Sequence, residues 1–397
     1  MPSSLPKRAP PRGRLGNRLS PEERVSKSAP LACVADERHD APPSTIRTGR
    51  HQGSRESAEL LSDLERLNAV RGQNLMQWKA LVTGGGGFIG SRLVRLLLDQ
   101  GHFVRVLDID AGRLKGERKP NLEFVGLDSD PLEGGMANKR LVDEAIEGVD
   151  VVYHFAINWD GGSWTHALPL ANLLDVNIRG TLNMLETAVS RGVKHFLFAG
   201  SIAVYGNRTS PILDEEVVCK PELWRGGPGP GYAVMKLITE RLCLLFHREH
   251  GLPVTVFRID VVFDDDEHLD LSLETIRAAV RGSPIKVEKG EGGAAVHVDD
   301  VAQAFLKATL NEKAYGQVFN LSNPAAYMTD LEVCRLVIDT LESKSAIDLV
   351  ETPLTGPVLG GVDKAEGVLG WRPIRGRKDL ESTIVKMAEG EAGRLPQ

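Results

Sequence analysis

The chain has 397 residues, 42% of them hydrophobic and 26% charged, which supports globular cores of ordinary size and excludes disorder throughout. A formal net charge of −6 gives no electrostatic reason to seek nucleic acid or an anionic membrane surface, so small molecules are the expected partners. Cys33, Cys219, Cys243 and Cys334 lack paired spacing and finger-type histidines, which argues against a disulfide framework or a zinc site and fits a reducing, cytoplasmic setting.

Pro, Arg and Ser dominate the start of the chain, and residues 1–57 read as a disordered extension that buries too little apolar surface to offset chain entropy. Lys7, Arg8, Arg12, Arg14 and Arg18 precede the first acid, Glu22, as in a transit peptide, yet no amphipathic period accompanies them. Residues 58–77 read as a short helix and linker, with Leu60, Leu61, Leu64 and Leu67 at helical spacing. Met76 stands just before the first strand, which makes it an alternative start to Met1.

From residue 78 short apolar runs alternate with longer amphipathic stretches. Strands are predicted over Trp78 to Thr83, His102 to Leu107, Leu122 to Gly126, Val149 to Phe155, His195 to Ala199 and Val254 to Ile259. Helices are predicted between them, notably Phe88 to Gln100, Pro169 to Arg191 and Tyr232 to His250. Almost wholly apolar strands, each followed by a helix, indicate a parallel sheet covered on both faces, because parallel strands need helical crossovers. The fold class is therefore α/β, with a doubly wound Rossmann domain over residues 78–260. No apolar run reaches a membrane span: Lys194, His195 and Gly200 interrupt the one from Val193 to Val204. Beyond Asp260 the elements shorten, and residues 261–390 are expected to form a smaller C-terminal substrate-binding domain that returns a strand to the first sheet, followed by a tail over 391–397.

The first strand runs into Thr83-Gly84-Gly85-Gly86-Gly87-Phe88-Ile89-Gly90, a strand-to-helix junction with Gly84, Gly87 and Gly90 three apart. The first glycine suits a tight turn, the second a close backbone approach to a pyrophosphate, and the third close helix packing, with the helix N-terminus facing the anion. Asp108 ends the second strand, where a carboxylate accepts hydrogen bonds from the adenosine ribose and repels a 2′-phosphate. NAD is thereby favoured over NADP. Arg105 lies inside that strand, which does not place it for a phosphate.

Further along, Ser201 to Gly206 follows a buried strand, and Tyr232-Ala233-Val234-Met235-Lys236 opens a helix that sets Tyr232 and Lys236 on one face. A phenol with a pKa near 10 is a poor base at neutral pH, but a neighbouring ammonium and a cationic nicotinamide favour its phenolate. Tyr232 can then take a hydroxyl proton while hydride leaves, and Ser201 can hold the same oxygen.

The chain resembles the extended short-chain dehydrogenase/reductase family, in its NAD-dependent epimerase/dehydratase branch, from residue 78 to residue 390. Further motifs carry the resemblance: Asp128, Asp150-Val-Val-Tyr-His154-Phe155-Ala156, Asn177-Ile-Arg-Gly-Thr, Val296-His297-Val298-Asp299-Asp300 and Leu369-Gly370-Trp371-Arg372-Pro373. It implies that Gly84, Gly87, Phe88, Ile89, Gly90 and Asp108 bind the cofactor, that Asp128 sits near the adenine and that Phe155 and Ala156 line the cofactor. It also implies that Lys236 holds the nicotinamide ribose and that Asn177 serves as a structural or relay residue. His297, Asp299 and Asp300 then read as a strand end and helix start rather than a metal site. A homodimer through the helices at Pro169 to Arg191 and Tyr232 to His250 is likewise implied.

Two departures narrow the chemistry. Family dehydratases and decarboxylases carry an acid just after the position of Ser201, where this chain has Ile202 and Ala203, so elimination of water lacks its general acid. Members acting on nucleotide sugars usually continue Arg-Pro-x-Asn-Val-Tyr-Gly-Pro after the strand ending at Arg258, but here Val261 stands for the Asn and Asp264, Asp265, Asp266 and Glu267 follow, an acidic loop read as solvated. The function expected is an NAD-dependent epimerase or dehydrogenase acting on a secondary alcohol of a sugar, nucleotide sugar or related small molecule. The alternative, a non-catalytic NAD(H)-binding redox sensor, has no need of the intact Ser201, Tyr232 and Lys236.

Overall fold

A computed structural model describes residues 77–127, 135–158, 174–206, 212–224, 229–265, 273–351 and 359–394. The expectations for residues 1–76, including the leucine-spaced helix and the alternative start, and for Asp128 lie outside them.

Seven strands make one parallel sheet: β1 (Lys79–Thr83), β2 (Phe103–Leu107), β3 (Leu122–Val125), β4 (Val151–His154), β5 (His195–Ser201), β6 (Val254–Ile259) and β7 (Gln317–Leu321), in the spatial order β7-β6-β5-β4-β1-β2-β3. This is the doubly wound sheet expected. The chain builds outward from β1 to β3 and then resumes on the other side of β1 with β4, so the order reverses between β1 and β4. Parallel pairing places Thr83 beside His154 at the carboxyl end of that reversal, where such sheets open a ligand crevice.

Alternation along the strands explains the two covered faces. In β1, Ala80 and Val82 point into one core while Leu81 points into the other. The first core receives helix α1 (Phe88–Asp99) through Leu93, Val94 and Leu97, together with the helix Val298–Ala308 through Val301 and Phe305. The second receives α2 (Lys139–Ile146), α3 (Gly180–Arg191) and α4 (Pro230–His250) through Val142, Met184, Leu185 and Phe246. Both long helices stop at a left-handed glycine, Gly192 with φ 68° and Gly251 with φ 68°, a conformation that costs an L residue steric strain.

The chain beyond Asp260 supplies β7, which pairs in parallel with β6 from Gln317↔Thr255 to Leu321↔Ile259. It also supplies a third core in which Phe263, Ile276, Cys334, Ile384 and Met387 meet. Among the described residues, no helix is long and apolar enough to cross a membrane. Two expectations change in detail. The predicted fifth strand extends to Ser201, and the described part of the helix placed at Pro169 to Arg191 opens with a π turn, Asp175–Arg179, before regular α-helix begins at Gly180.

Candidate active site

The junction of β1 and α1 has the shape a pyrophosphate needs. Gly84 has φ +67°, and a Cβ there would stand 2.8 Å from the main chain of Ala156, so neither the conformation nor the space admits a side chain. A Cβ on Gly90 would run into the Gly84 carbonyl, which is why the helix can pack this closely on the turn only with glycine. Gly87 is exposed and caps α1 through extended backbone, leaving the helix N-terminus open. The loop therefore fits a dinucleotide on its own geometry.

Asp108 is half-buried beside this loop. Its Oδ2 accepts the Gly86 N–H at 2.9 Å and its Oδ1 the Ile109 N–H at 2.8 Å. Burial raises the carboxyl pKa, while these N–H donors work against the shift. Each oxygen keeps a lone pair for a ribose hydroxyl. Arg105 is committed elsewhere, as the sequence suggested: it donates to Glu123 and to the carbonyls of Glu144, Ala145 and Glu147 at the end of α2.

A buried polar chain leads from the loop to the helices. The Ala156 N–H donates to Thr83 Oγ1 at 3.2 Å, and Thr83 Oγ1 lies 2.7 Å from His154 Nδ1. On the other side His154 Nε2 lies 2.8 Å from Thr181 Oγ1, whose proton goes to the Asn177 carbonyl at 2.7 Å. Because Thr181 spends its only proton on that carbonyl, it must accept from His154 Nε2–H, leaving Nδ1 to accept from Thr83. Burial, with the nearby Lys236 charge second, drives the His154 pKa down to about 3, so the ring is neutral. The Asn177 side chain closes the chain on the main chain of Asn158, accepting its N–H at 2.7 Å and donating to its carbonyl at 3.1 Å. Sequence reading gave Asn177 a role but met His154, Thr83 and Thr181 only as members of motifs, since none of these residue types signals a network by itself.

Helix α4 packs along β5 and the turn that follows it. Pro230 starts the helix, and Tyr232 comes in its first turn, half-buried. Lys236, one turn on, is buried and donates to the Ala199 carbonyl at 2.7 Å, with its ammonium 5.7 Å from the Tyr232 ring centroid. Burial lowers the Lys236 pKa to about 8. Ser201 ends β5 and its Oγ accepts the Ala203 N–H at 3.2 Å. A small cleft opens between Ala156, Asn177, Phe198, Met235 and Lys236, which joins the polar chain to the lysine.

Two sequence readings change here. The Phe155 side chain does not line the cleft but packs on Phe305, ring centroids 4.5 Å apart in the core, so only its main chain borders the glycine loop. Asp264 is not solvated: it is fully buried, facing Arg113 at 3.4 Å and Arg92 at 3.9 Å. The strand-end reading of His297 agrees with the structure: His297 ends a short strand and its Nδ1 accepts the Asp299 N–H at 3.2 Å, capping the next helix. Asp265 and Asp299 come near His297, but their charges also face Arg375 at 3.6 Å and Arg92 at 3.8 Å respectively. Asp300 ties two motifs together, accepting the N–H groups of Ile374 and Arg375 while its carbonyl accepts Trp371 Nε1–H at 2.8 Å.

The model of the NAD dependent epimerase/dehydratase family matches residues 80–322, a stretch that holds the glycine loop, Asp108, Ser201, Tyr232, Lys236 and β7. The chain belongs to this epimerase/dehydratase family. Among curated members, the UDP-N-acetyl-alpha-D-glucosaminuronate decarboxylase of Bacillus cytotoxicus is 30% identical over 259 residues, covering 62% of this chain and 76% of that one. UDP-glucuronic acid decarboxylase 1 of Danio rerio is 30% identical over 310 residues, 75% of this chain and 69% of that one. The fold is shared with the UDP-glucuronic acid 4-epimerase of Bacillus cereus, solved with UDP-glucuronic acid and NAD (TM-score 0.63, 20% identity, 79% of this chain and 99% of that one). It is shared also with the dTDP-glucose 4,6-dehydratase of Bacillus anthracis (TM-score 0.61, 20% identity, 80% and 98%). NAD is the cofactor of the family, and the loop from Gly84 to Gly90 has the cradle it requires.

Proposed function

We propose that the protein is an NAD-dependent epimerase or dehydrogenase that oxidises a secondary alcohol of a sugar, nucleotide sugar or related small molecule. The observation that carries this reading is the buried Lys236, anchored to the Ala199 carbonyl at 2.7 Å one helical turn from Tyr232 and on the strand that ends at Ser201. An ammonium fixed beside the phenol lowers the free energy of the phenolate. Tyr232 takes the proton from the substrate hydroxyl, Ser201 holds the same oxygen, and Lys236 keeps the phenolate charge countered. Bound NAD supplies the acceptor for the hydride that leaves the carbinol carbon. Gly84, Gly87, Phe88, Ile89 and Gly90 would hold its pyrophosphate, Asp108 the adenosine ribose and Lys236 the nicotinamide ribose.

The curated relatives are named for UDP-linked sugars, which makes a nucleotide sugar the first substrate class to test. Ile202 is only partly buried and Ala203 is buried, and neither carries a proton to give, so the reading stops at oxidation or inversion and does not extend to loss of water.

The test is a panel of nucleotide sugars and simpler polyols scored for NADH absorbance and for isomer interconversion. An epimerase interconverts isomers with no net absorbance change, and a dehydrogenase accumulates NADH. Tyr232→Phe should lower either rate by at least 100-fold. Turnover of the phenylalanine variant within a few-fold of the parent would sink the mechanism, and tight NADH binding without turnover on the whole panel would favour the redox sensor.

A further inference from the structure

We propose that Asp264 is a cofactor-specificity residue: it neutralises Arg113 and Arg92 beside the glycine loop and so withholds the cation that a 2′-phosphate would require. The inference rests on the cofactor reading of that loop.

Arg113 stands close to the adenosine end expected for the cofactor. Its main-chain N–H donates to the Gly86 carbonyl at 2.8 Å, and Gly86 in turn donates to Asp108 at 2.9 Å. Its guanidinium lies over the Phe88 ring, 4.9 Å from the centroid, at the first turn of α1. An arginine in such surroundings is the residue type that accommodates a 2′-phosphate in dinucleotide sites. By position alone Arg113 would therefore weaken the preference for NAD that Asp108 establishes.

Asp264 offsets this. The carboxylate is fully buried and faces Arg113 Nη1 at 3.4 Å and Arg92 Nη2 at 3.9 Å, while Arg92 also faces Asp299 at 3.8 Å. Both guanidinium groups thus face the same carboxylate, which offsets positive charge beside the loop. Asp264 is buried on its side of the pair while the Arg113 side chain is 41% exposed, so the carboxylate holds the arginine from within and solvent screens the pair only from outside. The pyrophosphate of NAD needs no such cation, because backbone N–H groups and the helix N-terminus serve it. A further phosphate brings about two more negative charges and is left facing Asp108 and a neutralised arginine. Asp264 is itself held in place: its carbonyl accepts Thr383 Oγ1–H at 2.5 Å from the C-terminal helix Arg377–Arg394. Selection of the cofactor is therefore shared between the loop and a residue contributed by the chain more than 150 positions later, since Arg113 and Asp264 are 151 apart.

The experiment measures dissociation constants of NADH and NADPH by nucleotide fluorescence on the full chain, for the parent, Asp264→Asn, Arg113→Met and the double variant. The expected result is a parent that prefers NADH and an Asp264→Asn variant whose preference moves at least tenfold toward NADPH. Adding Arg113→Met to it should abolish that gain, and Arg113→Met alone should move the preference less than twofold. An Asp264→Asn variant that binds both nucleotides equally more weakly, with unchanged preference, overturns the proposal while leaving the cofactor reading intact. Failure of the parent to bind either nucleotide overturns both. Should Asp264→Asn not fold, as circular dichroism would show, Arg113→Met decides alone: a selective tenfold loss of NADPH affinity would mean that Arg113 is already free for the phosphate.

Discussion

Arg258 and Glu240 form a buried bidentate ion pair, Nε to Oε2 at 2.9 Å and Nη2 to Oε1 at 2.8 Å, which fixes helix α4 to strand β6. The same guanidinium donates to the Tyr205 hydroxyl at 2.9 Å, and that hydroxyl donates to Asn320 Oδ1 on β7 at 2.8 Å. Glu240 lies one turn beyond Lys236, so the pair also sets the rotation of α4 and with it the aim of Tyr232 and Lys236. Removing one partner strands a charge in the core. Arg258→Met should therefore cost about 3–5 kcal/mol, and the double change with Glu240→Leu should recover most of it. Urea unfolding of the two variants checks this, and equal losses in both would contradict it.

A second prediction concerns acid. His154 and His195 are both buried, and burial lowers each pKa to about 3. His195 accepts the Leu310 N–H at Nδ1 and meets Thr255 Oγ1 at Nε2, 2.9 Å away, so it too is held as the neutral ring. The unfolded chain protonates these rings near pH 6.5, so between pH 6.5 and 3 it binds more protons than the native state and stability rises with pH. On lowering the pH from 7 to 5, each histidine should remove about 2 kcal/mol. Urea midpoints at the two pH values measure it, and His195→Gln should make the dependence shallower.

Lys236 extends the same sign of dependence to alkaline pH. Its pKa of about 8 means that the native state releases this proton before the unfolded chain does, so stability should rise from about pH 8 toward the ordinary lysine range. Turnover should fall over the same rise, because the neutral amine no longer counters a Tyr232 phenolate. Lys236→Met should remove the alkaline rise in stability and lower turnover by at least 100-fold. An alkaline activity limb that persists in residual turnover of this variant would assign the titration to another group.

The glycine loop gives a steric prediction. A methyl group at Gly90 has no room beside the Gly84 carbonyl, so Gly90→Ala must push α1 off the turn. Overpacking of this kind costs about 1–3 kcal/mol, and the displaced helix end should weaken NADH binding at least tenfold. Gly367→Ala, a position on the helix Asp363–Leu369 where an added Cβ meets nothing within 4 Å, is the matched control and should bind NADH as the parent does. Fluorescence titration of the two variants side by side separates the local clash from a general loss of glycine.

The sequence by itself determined the α/β class, because the strands are apolar on both sides and the helices on one, and this pattern has few packed solutions. It determined the glycine-rich turn as well, since glycine at Gly84 and Gly90 is demanded by local conformation and contact, and it placed Tyr232 and Lys236 on one helical face by period alone. Tertiary structure decided what depends on residues far apart in the chain. The Phe155 side chain faces the core because Phe305 awaits it there, and His154 is neutral because the fold buries it, with the Lys236 charge nearby. Asp264 looked like a solvated acid in a run of acids. Only the fold, by bringing Arg92 and Arg113 against it, shows that its charge is spent inside the protein, beside the very loop whose specificity the sequence had assigned to Asp108 alone.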